Sequence, residues 1–100
     1  MARYGTQFAL SCDASARQVT ISLGLRTSAS QPIFITATDL RRALNGQPQG
    51  ALLIAILPPS DPLLDAMAFS RGRFMVETGS MAPFYLPSWA EVSRVIEDCR

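Results

Sequence analysis

A chain of 100 residues, 48% of them apolar and 17% charged, has the length of one domain and enough apolar matter to pack one core. It is not disordered by composition. The formal charge of +1 argues against nucleic acid as the main partner, because neutralising phosphates takes a strong basic excess.

Gln7 to Cys12 alternates apolar and polar, with Phe8, Leu10 and Cys12 on one face, and reads as a half-buried strand. Asp13 to Ala16 reads as a turn. Val19, Ile21, Leu23 and Leu25 then alternate with Thr20, Ser22, Gly24 and Arg26, so a hairpin is expected from residue 7 to about 26. After the loop Thr27 to Gln31, Pro32 suits only the start of a strand or an edge, and Ile33 to Ala37 is a third strand. The next segment has two readings. Thr38-Asp39 caps a short helix that stops at Asn45-Gly46, or Leu40 to Leu44 forms a strand. Six residues are marginal for a helix, which favours the strand.

Gln47 to Gly50 reads as loop. Ala51 to Leu57 is apolar on both faces, as in a central strand, and Pro58-Pro59 ends it. This longest apolar run is far short of the roughly 20 residues of a membrane helix. Asp61-Pro62 is a helix start, an N-cap carboxylate followed by proline at the first helical position. Leu63, Leu64, Met67 and Ala68 make an apolar stripe on that helix, with Gly72 placed to end it. Arg73 to Glu77 and Phe84 to Leu86 are strands, separated by a turn at Thr78-Gly79-Ser80. Ser88 and Glu91 match the S-x-x-E capping box. Trp89, Val92, Val95, Ile96 and Cys99 then fall on one face of a closing helix, with Glu91, Arg94 and Glu97 spaced to pair on the other. The fold expected is α+β, an antiparallel sheet of about six or seven short strands with two helices, in a single domain over residues 1–100.

Cys12 ends the first strand on its inward face, and Cys99 lies on the apolar stripe of the last helix. A bridge between them closes a loop of nearly the whole domain and places the chain in an oxidising compartment, periplasmic or secreted. The alternative is two buried free thiols in a cytosolic protein. The first five residues lack the apolar stretch of a signal peptide, which fits a cytosolic chain or one whose leader has been removed.

Histidine is absent. Its absence removes Ser-His-Asp and Cys-His catalysis and the usual zinc sites, so no catalytic residue, metal or cofactor is expected. No CxxC pair suggests redox exchange. All nine basic residues are arginine. Ser70-Arg71-Gly72-Arg73, between a helix and a strand, is the segment best suited to hold a carboxylate, phosphate or sugar acid. Read structurally, Arg71 instead complements a helix C-terminus and Arg73 pairs with Asp65 or Glu77. Arg71, Arg73, Asp65 and Glu77 are therefore the candidate binding residues. Asp61 and Asp65 stand one helical turn apart, but Asp61 is already accounted for as a cap. Trp89 and Tyr85 are candidates for a binding surface, although Trp89 is in register with the apolar helix face.

The segments DPLLDAMAFSRGRFMVE and FYLPSWAEVSRVIEDCR resemble a family of small bacterial exported or lipoprotein-type domains, in which SRGRF-like and W-x-E-x-x-R-x-x-E-D-C-R segments recur. The resemblance covers residues 61–100 and implies an exported domain with a C-terminal cysteine. FALSCDASARQVTISL is similar, over about fifteen residues, to the first hairpin of periplasmic lysozyme inhibitors, though the inhibitory loop motif of that family is not evident. The function expected is a non-enzymatic cell-envelope domain that binds protein or glycan. The alternative is a small periplasmic inhibitor of a cell-wall hydrolase.

Overall fold

Period-two alternation dominates the chain because nearly every strand buries one face and leaves the other to solvent. The computed structural model describes residues 2–5, 7–38, 40–70, 72–79, 81–88 and 90–100, and of Arg3 the backbone alone. Eight strands form one antiparallel sheet: β1 (Ala2–Tyr4), β2 (Phe8–Asp13), β3 (Gln18–Leu23), β4 (Gln31–Thr36), β5 (Arg41–Gln49), β6 (Leu52–Leu57), β7 (Arg73–Thr78) and β8 (Phe84–Pro87). Their spatial order is β1-β2-β3-β6-β5-β4-β7-β8. Two helices, α1 (Pro62–Ala68) and α2 (Ala90–Cys99), complete an α+β fold.

The β2–β3 hairpin forms in the expected register, with Cys12 opposite Val19. Asp13 shapes its turn by accepting bonds from the Ser15 hydroxyl at 2.8 Å and the Ala16 amide at 3.2 Å. The segment from Leu40 onward is strand, as favoured, but β5 continues through Gly46 to Gln49, where a loop was expected. Long-range pairing explains the extension. Arg41 to Gly46 pair with β4, and Gln47 to Gln49 pair with β6, so one strand joins two halves of the sheet. Gly46 stands at the handover. A Cβ there would lie 2.5 Å from the Gln31 carbonyl oxygen and 3.0 Å from the side chains of Ile33 and Leu53, so only glycine fits.

Pro32 lies inside β4, between β5 and β7, and not at an edge. It is accommodated because pairing with β7 begins only at Ile33, and its carbonyl accepts the Thr78 hydroxyl at 2.7 Å. β6 is central in the sheet, yet only one of its faces is covered, for Ile56 is 55% exposed. β1 was not apparent in the sequence.

The sheet curls until its ends approach each other. Tyr4 of β1 donates its hydroxyl to the Pro87 carbonyl of β8 at 2.5 Å. Tyr4, Phe8 and Phe74 meet edge to face at centroid distances of 5.7–6.3 Å, joining β1 and β2 to β7 across the interior. Leu63, Leu64 and Met67 of α1 and Val92, Val95, Ile96 and Cys99 of α2 are buried in the same core. α2 lies mainly against β2, and α1 against α2.

Asp61 caps α1 as expected, accepting the Leu63 amide at 2.9 Å. The helix ends at Ala68 with Phe69 as its cap, so Gly72 (φ +77°) serves the turn into β7 and not the helix end. Ser88 donates its hydroxyl to the Met67 carbonyl at 2.9 Å, tying the start of α2 to α1 where a capping box was expected. Glu91, Arg94 and Glu97 are exposed and form no ion pair among the described residues. Trp89 and Arg71 lie outside the described residues. Among the described residues no helix is long and apolar enough to cross a membrane.

Cys12 and Cys99 are joined in a disulfide, with Cα atoms 5.6 Å apart and a sequence separation of 87. Such a bond is consistent with an oxidising, extracytoplasmic location. Loop closure of this length constrains the unfolded chain by about 4–5 kcal/mol, against a typical domain stability of about 5–15 kcal/mol. No thiol is therefore expected to react with an alkylating agent before reduction, and both are expected to react after it. The double variant C12A/C99A is expected to lose about 3–4 kcal/mol of unfolding free energy in urea.

Candidate functional site

Apart from Thr78, the inward residues on β4, β7 and β8 are aliphatic or aromatic, and their neighbours along each strand face out. The outward set on this half of the sheet is chemically distinctive. Thr36 stands opposite Arg41 on β5 and Met75 on β7, and Met75 stands opposite Tyr85 on β8. These four residues form one cross-strand row. Phe34 and Glu77 are paired in the adjacent row, and Arg73 is two residues before Met75 on the same strand.

The arginines on this face lie over aromatic rings. The Arg41 guanidinium is 4.6 Å from the Phe34 centroid, and that of Arg73 is 4.6 Å from the Tyr85 centroid. Arg41 also approaches Glu77 at 3.7 Å, with 56% of its side chain exposed. Exposed cation–π contacts contribute about 0.5–1 kcal/mol, and exposed ion pairs about 0–1 kcal/mol. Both contacts orient the arginines more than they hold the fold. Thr36, Ala37, Thr38, Arg73, Met75 and Tyr85 border a shallow, open depression of about 320 Å³. Tyr85 is 57% exposed even with Arg73 over it. Thr36 Oγ1 is screened from solvent and has no hydrogen-bond partner among the described residues.

Ser70 sets the rim of the depression. It is 7% exposed and donates its hydroxyl to the Arg73 carbonyl at 2.6 Å. Its oxygen accepts the Thr38 amide at 3.0 Å, and the Thr38 hydroxyl lies 3.0 Å away. One serine thus ties the turn after β4 to the start of β7. The sequence drew attention to this segment through its arginines. Ser70 itself was missed, because a serine between helix and strand is ordinarily solvated.

Of the sequence candidates, the structure brings Arg73 and Glu77 onto one face and leaves Asp65 apart. Arg73 pairs with neither acid and sits over Tyr85. Asp65 bonds to Arg100 at 2.8 Å, and Glu77 faces Arg41. The geometry overturns the expected Arg73 pairs because β7 points Arg73 outward while α1 packs on the inner side. The second exposed face, on β3 and β6, is different in kind. Thr20 stands opposite Ile56 and Ser22 opposite Ile54, with no charged side chain among them.

The least exposed of the ion pairs that sequence reading did not find is Arg42–Asp61. Its two bonds measure 2.6 and 3.0 Å, and the Asp61 side chain is only 10% exposed. The Arg42 guanidinium holds the Asp61 carboxyl below its ordinary value of 3.8, against desolvation, which raises it. A lowered folded-state value means that this stabilisation is present above the ordinary aspartate range. It is lost as pH falls through the folded value. Asp61→Asn keeps a capping oxygen and removes the charge, so it is expected to cost about 1–2 kcal/mol at pH 7. Urea titrations should show that deficit shrinking as pH falls below the ordinary aspartate value of 3.8 and the wild-type carboxyl loses its charge. Thr36→Val removes an unpartnered hydroxyl and is expected to raise stability by about 1 kcal/mol in the same assay.

The chain matches no protein-family model, no curated protein and no solved structure, so the functional reading rests on its own geometry.

Proposed function

We propose that this is a non-enzymatic domain of the bacterial cell envelope, periplasmic, secreted or carried on a lipoprotein, that binds protein or glycan through the outer face of β4, β7 and β8. The observation that carries the reading is the pair of arginine–aromatic contacts on that face, beside a depression bordered by an exposed tyrosine. Aromatic rings and arginine are the residue types enriched at binding surfaces, where they contribute area and directed hydrogen bonds with little loss of side-chain freedom. The disulfide supports the compartment. The chain has no histidine or lysine to activate a serine nucleophile, which favours binding over turnover.

The second reading, inhibition of a cell-wall hydrolase, draws on the β2–β3 hairpin, the segment similar in sequence to the first hairpin of lysozyme inhibitors, which carries Cys12. A glycan array and a lysozyme assay separate the two. The wild-type protein is expected to bind immobilised glycans and leave lysozyme activity unchanged. R73A/Y85A, with unaltered circular dichroism, is expected to lose at least about tenfold in affinity, the loss of a single good contact or more. Stoichiometric inhibition of lysozyme would establish the inhibitor instead. Turnover of an ester, phosphate or glycoside would sink both readings.

A further inference from the structure

Arg73 makes no ion pair among the described residues, although it is a cation on a face that also holds Glu77. Its Cζ lies 4.6 Å from the Tyr85 ring centroid, and its N–H groups make no hydrogen bond among the described residues, so they can bond a carboxylate in bidentate fashion. Arg41, on the same face, has one acidic neighbour among the described residues, Glu77 at 3.7 Å. Among the described residues, two arginines and one carboxylate leave this face with surplus positive charge. An anionic group is therefore the ligand feature it selects.

The shape of the depression narrows the class. It is open and shallow, with no deep pocket to receive an anchoring side chain as peptide-binding sites commonly have. A ring laid flat suits it better. Tyr85 offers an exposed aromatic surface for the C–H face of such a ring, and Thr36 and Thr38 make the border beside it polar. A ring with an apolar C–H face, a polar rim and a carboxylate describes one ligand chemistry. Resting on the binding role above, we propose that the depression takes a carboxylate-bearing sugar, with its ring against Tyr85 and its carboxylate on Arg73.

Isothermal titration with trigalacturonate, its methyl ester and hexaglutamate tests the proposal, using the intact disulfide-bonded protein. Trigalacturonate is expected to bind at least about tenfold more tightly than either the ester or the peptide, the difference one charge-assisted bidentate contact makes. R73Q is expected to bring the acid down to the level of the ester, and Y85A to weaken both. Both side chains are exposed, and circular dichroism verifies that each variant folds. Equal affinity for acid and ester, hexaglutamate binding as tight as trigalacturonate, or an unchanged preference in R73Q would overturn the proposal. If trigalacturonate fails to bind while other arrayed glycans bind through Tyr85, this inference falls and the binding role stands. If no glycan or protein binds through this face, both fall.

Discussion

The Cys12–Cys99 bond fastens α2 to the inner side of β2, and the closed interior depends on that attachment. A ten-residue helix is too short to hold its shape alone. Here it is pinned by a covalent bond near its last turn and by Val92, Val95 and Ile96 along its buried side. α1 rests on α2, and Ser88 reaches back to the Met67 carbonyl of α1. Freeing α2 therefore uncovers the inner faces of β1 to β3 and loosens the seat of α1. The bond also joins segments 87 residues apart, so its effect on the unfolded chain extends over almost the whole domain.

With the interior sealed in this way, the two outer faces of the curled sheet are free to differ. β5 is where they part. Its first six residues belong to the half that displays Arg41, Phe34, Arg73 and Tyr85. Its last three belong to the half with the uncharged surface of Thr20, Ser22, Ile54 and Ile56. Gly46 makes the handover possible by letting the Gln31 carbonyl and two core side chains occupy the space of its missing Cβ. The candidate site follows from the same bend. β4 and β7 pair with each other beyond it, and Ser70 then fixes the turn at the rim of the depression by bonding to both Thr38 and Arg73.

What was legible in the sequence was local. The β2–β3 hairpin, the Asp61 cap and the buried stripe of α2 are all written in spacings of two or of three and four residues, and those spacings survive folding. The placement of Cys12 and Cys99 on buried faces was legible for the same reason. What could not be read was set by partners distant in the chain. β1 is three residues long and exists as a strand only because β2 lies beside it. The end of β5 reads as a loop until β6 pairs with it. Arg42 and Asp61 are nineteen positions apart and meet only because the sheet brings the start of β5 to the start of α1. Side-chain direction misled most clearly at Arg73. Asp65 and Glu77 are near it in sequence, but helix packing takes one away and the other finds Arg41, leaving Tyr85 as its neighbour.

The division of labour between core and surface bears on why the outer aromatic residues are there. An exposed arginine–aromatic contact contributes about 0.5–1 kcal/mol, whereas the disulfide alone accounts for about 4–5 kcal/mol. The fold has little need of Tyr85 or Arg73 for stability. A tyrosine held 57% exposed keeps apolar ring surface in contact with water, a cost that small polar residues at the same position would avoid. Phe34 shows how the structure treats an outward ring that no partner needs, half-buried and covered by Arg41. Tyr85 lies at the edge of a depression beside an arginine that pairs with no carboxylate among the described residues. That contrast between two similar pairs on one face favours the β7–β8 end of the sheet for the proposed binding surface, with the Arg41–Phe34 pair as its flank.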